Sequence, residues 1–509
     1  MLLGIDFGTT RTVVAAVNRG NYPIVSFTSD AGDPYEGFPS VVATRGHELA
    51  FGFDAVRHQG EDGWTLRRSI KRDLSKLGPR SRLRIGEHEM SAFEWLTSFF
   101  EELHHSLREN SNLRLKKKDK LEAVISVPAN SNSNQRFITL EAFRRAGFEV
   151  RGMMNEPSAA GIEYAHHLLG EGGTPKKENL LVYDLGGGTF DSAVISLSER
   201  SHEVLSNQGI GRLGGDNFDT VLLELALREA GIGAVTEDQK SLLLEECREK
   251  KEGLHPNTKK LAIDLGRGIE GAGEVIIQTA DLYSACRPLI ESTLDALEMA
   301  VQNASKQGVP DLKALAAVYL VGGSTDFPPV ARIVRERYGK QVKRSPYPHA
   351  AVAIGLAIAA DTDAGHKLRE RFTRNFGVWR EFDYGQQIAF DTLFAKGTVL
   401  PVNGEGRLTL KRRYIPVHNI GHLRYLECSD LDEYFQPQGD ISTWDEIHFP
   451  FDPTLRQEDE ISKLPITRID GSGILIEETY SCDENGIIEV EIADLMRNFS
   501  RRYIVRPVA

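Results

Sequence analysis

Two short stretches of the chain carry the same residue types in the same order. Gly4-Ile5-Asp6-Phe7-Gly8-Thr9-Thr10 stands near the start and Tyr183-Asp184-Leu185-Gly186-Gly187-Gly188-Thr189-Phe190-Asp191 in the middle. Each is an aliphatic run ending in aspartate, followed by glycine and threonine. Glycine lets the backbone fold tightly and turn N–H groups onto phosphate oxygens, and a threonine hydroxyl adds a donor. The aspartate is suited to holding hydrated Mg²⁺. A second apolar run follows each turn, over 12–17 and 192–197, so both read as phosphate-gripping hairpins and not as strand-to-helix phosphate loops. One such turn is weak evidence. Two copies, each launched from a strand, point to a duplicated fold that clamps a nucleotide between two lobes. Val321-Gly322-Gly323-Ser324-Thr325, just before Pro328-Pro329, lets backbone approach a flat ring or a ribose and reads as the nucleoside-side contact.

These turns need strands and helices to place them. Aliphatic runs at 2–6, 123–127, 180–184 and 317–321 read as buried strands, and helical spacing of apolar residues marks 92–107, 134–146, 156–167, 281–306 and 329–338. That alternation is an α/β domain, with ligands expected at the strand ends. Beyond a charged stretch at 361–374, β-branched and aromatic residues broken by glycine, proline and asparagine predict a mostly antiparallel β domain. Its expected strands are 387–394, 407–415, 474–480 and 487–492, with a hairpin turn at Asp483-Glu484-Asn485-Gly486. A short helix is expected near 493–499 and an irregular loop over 436–465. The expected domains are residues 1–364, a linker at 365–374, and 375–509.

Composition narrows the function classes. At 509 residues the chain exceeds one hydrophobic core, which stops growing near roughly 250–300 residues. Lys+Arg 61 against Asp+Glu 73 gives a net charge of −12, without the global attraction expected toward nucleic acid or an anionic membrane. The start lacks a signal-peptide pattern and no window approaches the apolar run of about 20 residues that spans a bilayer. Four widely spaced cysteines read as reduced thiols, and a cytoplasmic location is expected.

The motifs, in order, resemble the ATPase domain of the 70-kDa heat-shock chaperones, the DnaK-type family within the actin and sugar-kinase superfamily. They include the two hairpins, Ser69-Ile70-Lys71-Arg72, Ile125-Ser126-Val127-Pro128-Ala129, Asn155-Glu156-Pro157-Ser158-Ala159-Ala160, Leu213-Gly214-Gly215-Asp216-Asn217-Phe218-Asp219 and Val321 to Thr325. The resemblance implies a two-lobed actin-like ATPase domain, a duplicated ribonuclease-H-like fold, followed by a smaller β-sandwich that binds polypeptide. It implies ATP or ADP with Mg²⁺, the metal positioned through water by Asp6 and Asp184. It makes Lys71 the catalytic lysine, Glu156, Asp184, Thr189 and Asp191 its companions, and Gly8, Thr9, Thr10, Arg11, Gly186, Gly187, Gly188, Gly214, Gly215, Asp216, Lys251, Gly322, Gly323 and Ser324 nucleotide contacts. Unfolded or extended polypeptide is the implied client, with J-domain and nucleotide-exchange co-chaperones as further partners, and neither nucleic acid nor membrane. Pro128 matches a hinge proline, and Arg136 an arginine that passes the signal to the second domain.

The chain departs from that pattern in several places. Asp326 and Glu252 stand where the family flanks adenine with arginines, and His349 where it has an acid. Gly365-His366-Lys367-Leu368-Arg369-Glu370-Arg371 replaces an aliphatic linker, and the sequence ends at Ala509 before any helical lid. A slow ATPase controlling polypeptide binding is the first expectation, and a nucleotide-sensing scaffold the alternative. A small-molecule kinase would need a deprotonating aspartate that the motifs do not identify, and a filament-forming actin relative would leave the β domain unexplained.

Overall fold

The computed structural model describes residues 1–29, 32–74, 81–170, 178–306, 308–309, 314–382, 387–402, 404–444 and 446–504. The first two apolar runs pair as an antiparallel hairpin, β1 (Leu2–Phe7) and β2 (Arg11–Ala16), with Asp6 opposite Val13. Both faces are covered, so the runs are continuously apolar instead of alternating. β3 (Phe38–Pro39) extends the hairpin at one side, and β4 (Glu122–Val127) and β5 (Glu149–Asn155) add in parallel at the other, in the order β5-β4-β1-β2-β3. The second lobe repeats the plan. β6 (Glu178–Leu185), β7 (Phe190–Ser198) and β8 (Ser201–Ile210) form the antiparallel part, β9 (Leu315–Val321) and β10 (Val342–Arg344) the parallel part, in the order β10-β9-β6-β7-β8. One topology used twice is the duplicated α/β fold expected from the paired motifs.

Helices cover the sheets: α1 (Ala92–Glu109), α2 (Ser133–Arg145), α3 (Glu156–Gly170), α4 (Gly215–Glu229), α5 (Glu237–Glu252), α6 (Thr279–Ser305), α7 (Pro328–Tyr338) and α8 (Ala351–Ala360). α1 starts at a reciprocal Ser91/Glu94 cap and buries Trp95, Leu96, Phe99, Phe100, Leu103 and Leu107, a stripe at helical spacing. α8, Ala-Val-Ala-Ile-Gly-Leu-Ala-Ile-Ala-Ala, is apolar all round and is accordingly buried, between β1 and α3. Two glycines permit that approach. A Cβ on Gly4 would lie 2.2 Å from Ala353 O, and one on Gly355 1.8 Å from Ala159 O.

The β domain is a sandwich. β12 (Asn375–Phe382), β13 (Gln387–Phe394), β16 (Tyr425–Leu431) and β17 (Pro437–Thr443) form one antiparallel sheet in the order β13-β12-β16-β17. β14 (Leu408–Tyr414), β19 (Ile476–Cys482), β20 (Ile488–Asp494) and β21 (Phe499–Ile504) form the other in sequence order. β15 (Ile420–Leu423) and β18 (Ile447–Pro450) make a two-stranded ribbon. Phe376, Tyr425, Trp444, Phe449, Ile476, Tyr480 and Val490 fill the space between the sheets.

Two expectations are corrected here, and the segment at 365–374 gains a pairing. The region 436–465 holds β17 and β18, because Pro437 opens one strand and Pro450 closes the other, positions where no ladder N–H is lost. No helix forms near 493–499: β20 ends at Asp494, whose buried carboxylate accepts from Met496 N at 3.0 Å, and β21 begins at Phe499. Within 365–374, residues Lys367–Arg369 form β11, paired in parallel with the β8 edge at 201–203, so this segment completes the second lobe's sheet. Further contacts tie the sandwich to the first lobe. Arg136 Nε donates to Asn485 O at 3.0 Å, Met153 N to Asn485 Oδ1 at 3.0 Å and Ser133 N to Glu427 Oε2 at 3.0 Å. The turn Asp483 to Gly486 is therefore a hairpin and also a docking element.

Candidate active site

The ends of β1 and β6 face each other across a cleft of about 400 Å³. Asp6, Gly8, Thr9, Thr10, Arg11, Lys71, Glu156, Asp184, Gly186, Gly187, Thr189, Gly215, Asp216, Lys251, Gly322, Gly323 and Ser324 all line it. Gly188 and Gly214 do not. A Cβ on Gly188 would meet Thr9 at 2.7 Å, and one on Gly214 would meet Gly187 O at 2.5 Å, so both shape the turns from behind. Asp191 also sits behind the lining, buried and accepting from Ala129 N at 3.0 Å.

Lys71 comes from a short helix, Ile70–Asp73, entered through Ser69 in the left-handed region at φ 62°. That uncommon backbone is held across the cleft, where Ser69 Oγ donates to Asp216 Oδ2 at 2.8 Å. Lys71 Nζ meets Glu156 Oε1 at 2.5 Å, both side chains being buried. Ser126 Oγ donates to Asp6 Oδ1 at 2.7 Å.

Three buried carboxylates, Glu156, Asp184 and Asp191, and the half-buried Asp6 thus surround one lysine. Burial, joined by repulsion from Asp6 and Asp191, pushes Glu156 up to about 8 against the attraction of Lys71. Burial likewise raises Asp191 to about 6, Asp6 above its ordinary range, and Asp184 well above its own, with Glu156, Asp6 and Asp191 adding to the last. Burial opposes the charge on Lys71, yet Glu156, Asp6 and Asp191 outweigh it and the net shift is upward. Such an excess of buried anionic groups calls for a further cation, and an all-oxygen donor set suits Mg²⁺ held through water.

Arg248 was not legible as a site group. Arg248 lies one turn before Glu252 on α5, lines the cleft, and pairs with Asp216 at 3.1 Å and Asp219 at 3.5 Å. No local signal separates it from the other charges of α5. Lys251 is occupied by Asp219 at 2.6 Å and by Gly215 O at 2.9 Å. Asp216, besides lining the cleft, is a latch between lobes, engaged by Ser69, by Arg72 at 3.2 Å and by Arg248. Asp326 is paired with Arg344, Glu252 with Arg11 at 3.6 Å, and His349 with Glu36 at 3.1 Å.

A duplicated sheet with a phosphate-type hairpin in each half, closed over buried carboxylates, defines a two-lobed actin-like nucleotide-binding protein. Residues 87–373 match the family model described as Hsp70 protein. The chain is similar to the "Chaperone protein HscA homolog" of Variovorax paradoxus, 31% identical over 377 residues, covering 72% of this chain and 58% of that protein. It is 33% identical over 384 residues to the "Chaperone protein DnaK" of Thermotoga petrophila, covering 72% and 60%. Against the HscA homolog of Pseudomonas aeruginosa the identity is 32% over 389 residues, covering 73% and 59%. The chain belongs to the Hsp70 family, and it spans about 60% of the length of these curated relatives. Among the described residues, no helix is long and apolar enough to cross a membrane.

Proposed function

We propose that the chain binds and slowly hydrolyses ATP with Mg²⁺, and that nucleotide state governs the hold of its β-sandwich on unfolded or extended polypeptide. The observation that carries this reading is the buried Lys71–Glu156 pair set among Asp6, Asp184 and Asp191 where the two repeated hairpins converge. Backbone N–H groups at Thr9, Thr10, Gly187 and Thr189 receive the phosphates, Gly8 and Gly186 close the two turns through N–H bonds to Asp6 O and Thr189 O, Gly215 and Asp216 flank the phosphates at the start of α4, and Gly322, Gly323 and Ser324 receive the nucleoside. Asp6 and Asp184 hold the waters around Mg²⁺, which when bound neutralises phosphate charge. Lys71 orients the attacking water and offsets charge developing on the γ-phosphoryl group. Glu156 fixes Lys71 in place, and Asp191, buried behind the cleft wall, helps to keep Lys71 charged. The division at 1–364, 365–374 and 375–509, and partnership with J-domain and nucleotide-exchange proteins, belong to the same proposal.

Single-turnover hydrolysis with Mg·ATP tests it. Lys71→Ala is expected to slow turnover on the order of 10²–10³-fold, and a short extended peptide to be released faster with ATP than with ADP. Nucleotide binding with turnover that ignores Lys71 would instead favour a nucleotide-sensing scaffold. That second reading rests on the ion pairs occupying Asp326 and Glu252 at the nucleoside end.

A further inference from the structure

The two-stranded ribbon of the β domain carries a cluster that the nucleotide cycle does not use. His422 on β15 stands directly opposite His448 on β18. Their imidazoles stack with centroids 4.4 Å apart and planes 16° from parallel. Glu446 lies two residues before His448, hence on the same face, and its Oε2 is 2.7 Å from His422 Nε2. Leu423 and Phe449 turn the opposite way, into the core. One donor atom from each of His422, Glu446 and His448 falls within 4.8 Å of the other two.

From this face we propose a binding site for a divalent first-row metal ion, Zn²⁺ by its donor set, spanning β15 and β18. Two imidazoles and one carboxylate on adjacent strands supply three protein ligands, the count typical of zinc sites that keep a fourth position open. Zn–N and Zn–O bonds of about 2.0–2.2 Å place tetrahedral donors roughly 3.3 Å apart, so side-chain rotation alone closes the cluster on an ion. Two nitrogen donors disfavour Mg²⁺ and Ca²⁺, which take oxygen. Bound metal cross-links a ribbon of only two strands, an element with little stability of its own. The fourth position, facing solvent, takes water or a donor from a partner.

The cluster differs from the other histidine group, His166, His202 and His366. There both ring nitrogens of His366 are taken by its neighbours, at 3.4 Å and 2.9 Å, which makes a chain instead of a cage.

The test is calorimetric titration of the tag-free full chain with ZnCl₂ and, separately, MgCl₂ at pH 7.5, with Asp6→Asn as a control for uptake by the cleft carboxylates. The expected result is one zinc equivalent that persists in Asp6→Asn and is absent with Mg²⁺ at this site. His422→Gln and His448→Gln should each weaken it by more than the roughly 10–100-fold typical of losing an outer partner of a metal ligand. Glu446→Gln, a change at an exposed side chain that leaves the fold alone, should weaken it in the same direction. Affinity should also fall in acid, because imidazoles bind metal only when neutral. Absence of zinc uptake by the wild-type chain, or uptake indifferent to all three ribbon variants, would overturn the site. Metal-free melting of each variant at the wild-type temperature separates lost ligands from lost fold.

Discussion

Glu370, from the segment joining the two domains, accepts hydrogen bonds from both the backbone N–H of Asn155, at 3.1 Å, and its side-chain Nδ2, at 2.7 Å. Asn155 is the residue before Glu156, and its Oδ1 accepts from Arg136 Nη1 at 2.8 Å, while Arg136 also holds Asn485 O in the sandwich. A single buried network therefore touches the joining segment, the end of β5, the hairpin of the second domain and the residue next to the site carboxylate. Glu370→Ala leaves the backbone N–H and the side-chain amide of Asn155 without their buried acceptor, at a cost of about 1–3 kcal/mol. Amide exchange over β11 and cleavage by added protease near 365–371 should both accelerate. Exchange unchanged from wild type would show that β11 docks independently of Glu370.

The cleft carboxylates make stability depend on pH and on metal. Glu156 at about 8 and Asp191 at about 6 are raised above their unfolded values, so the folded chain binds more protons than the unfolded one. Their contribution is full below about pH 4 and is lost as pH rises through 6 to 8. The nucleotide-free chain should lose thermal stability across pH 5 to 8 on their account, and Mg·ADP should reduce that slope while releasing protons, detectable from the dependence of binding heat on the buffer. Asp191→Asn should flatten the lower part of the curve, up to about pH 6. A slope identical with and without Mg·ADP would detach the carboxylates from the nucleotide site.

The reach of the sequence follows from what each element depends on. The lobes were legible because continuous aliphatic runs such as 180–184 bury both faces whatever surrounds them, and because Asp6 and Asp184 repeat one turn chemistry. The stretch 493–499 misled, since Ala493, Leu495 and Met496 favour helix locally while the turn is set by Asp494. Asp494 is fully buried and engaged locally by Met496 N and, at 2.5 Å, by Arg456, a contact that exists only once distant segments assemble. Arg248 was hidden for a similar reason. Nothing local separates it from the other charges of α5, and only packing over α4 aims it at Asp216. Gly365 to Arg371 read as a linker because three polar-flanked residues carry little strand signal, yet an open β8 edge supplies the pairing.

The junction at β11 should respond to acid. His202 Nε2 and His366 Nδ1 are 2.9 Å apart with rings stacked, and His166 lies beyond. Burial pushes His202 down to about 4, and burial reinforced by His202, His166 and Arg200 does the same for His366. Burial also lowers His166, with Asp361 opposing and Arg200 and His167 adding to the effect. The unfolded or undocked forms bind protons near 6.5, so this contribution is full above that value and is lost as pH falls from about 6.5 toward 4. Amide exchange at Lys367–Arg369 should therefore quicken between pH 6.5 and 5, and His366→Gln should remove the pH dependence there. Exchange that quickens equally in His366→Gln would place the acid response elsewhere.

The inter-sheet space of the sandwich holds charge as well as apolar side chains. Fully buried Glu478 of β19 receives Arg380 of β12 and the hydroxyls of Tyr414 and Tyr480, while Arg380 Nε reaches Asp391 at 2.7 Å and Arg412 closes on Asp391 at 3.0 Å. Removing one partner of a buried pair strands the other, so Glu478→Ala and Arg380→Ala should each cost about 3–5 kcal/mol. The pair Arg380→Met with Glu478→Leu removes both charges together and should cost far less than the sum of the single changes, because no ion is left unpaired. Urea unfolding of the four chains supplies the cycle. Additive costs would mean that Tyr414, Tyr480 and Asp391 satisfy each charge separately. A large coupling would show that the ion pair itself joins the two sheets across their shared core.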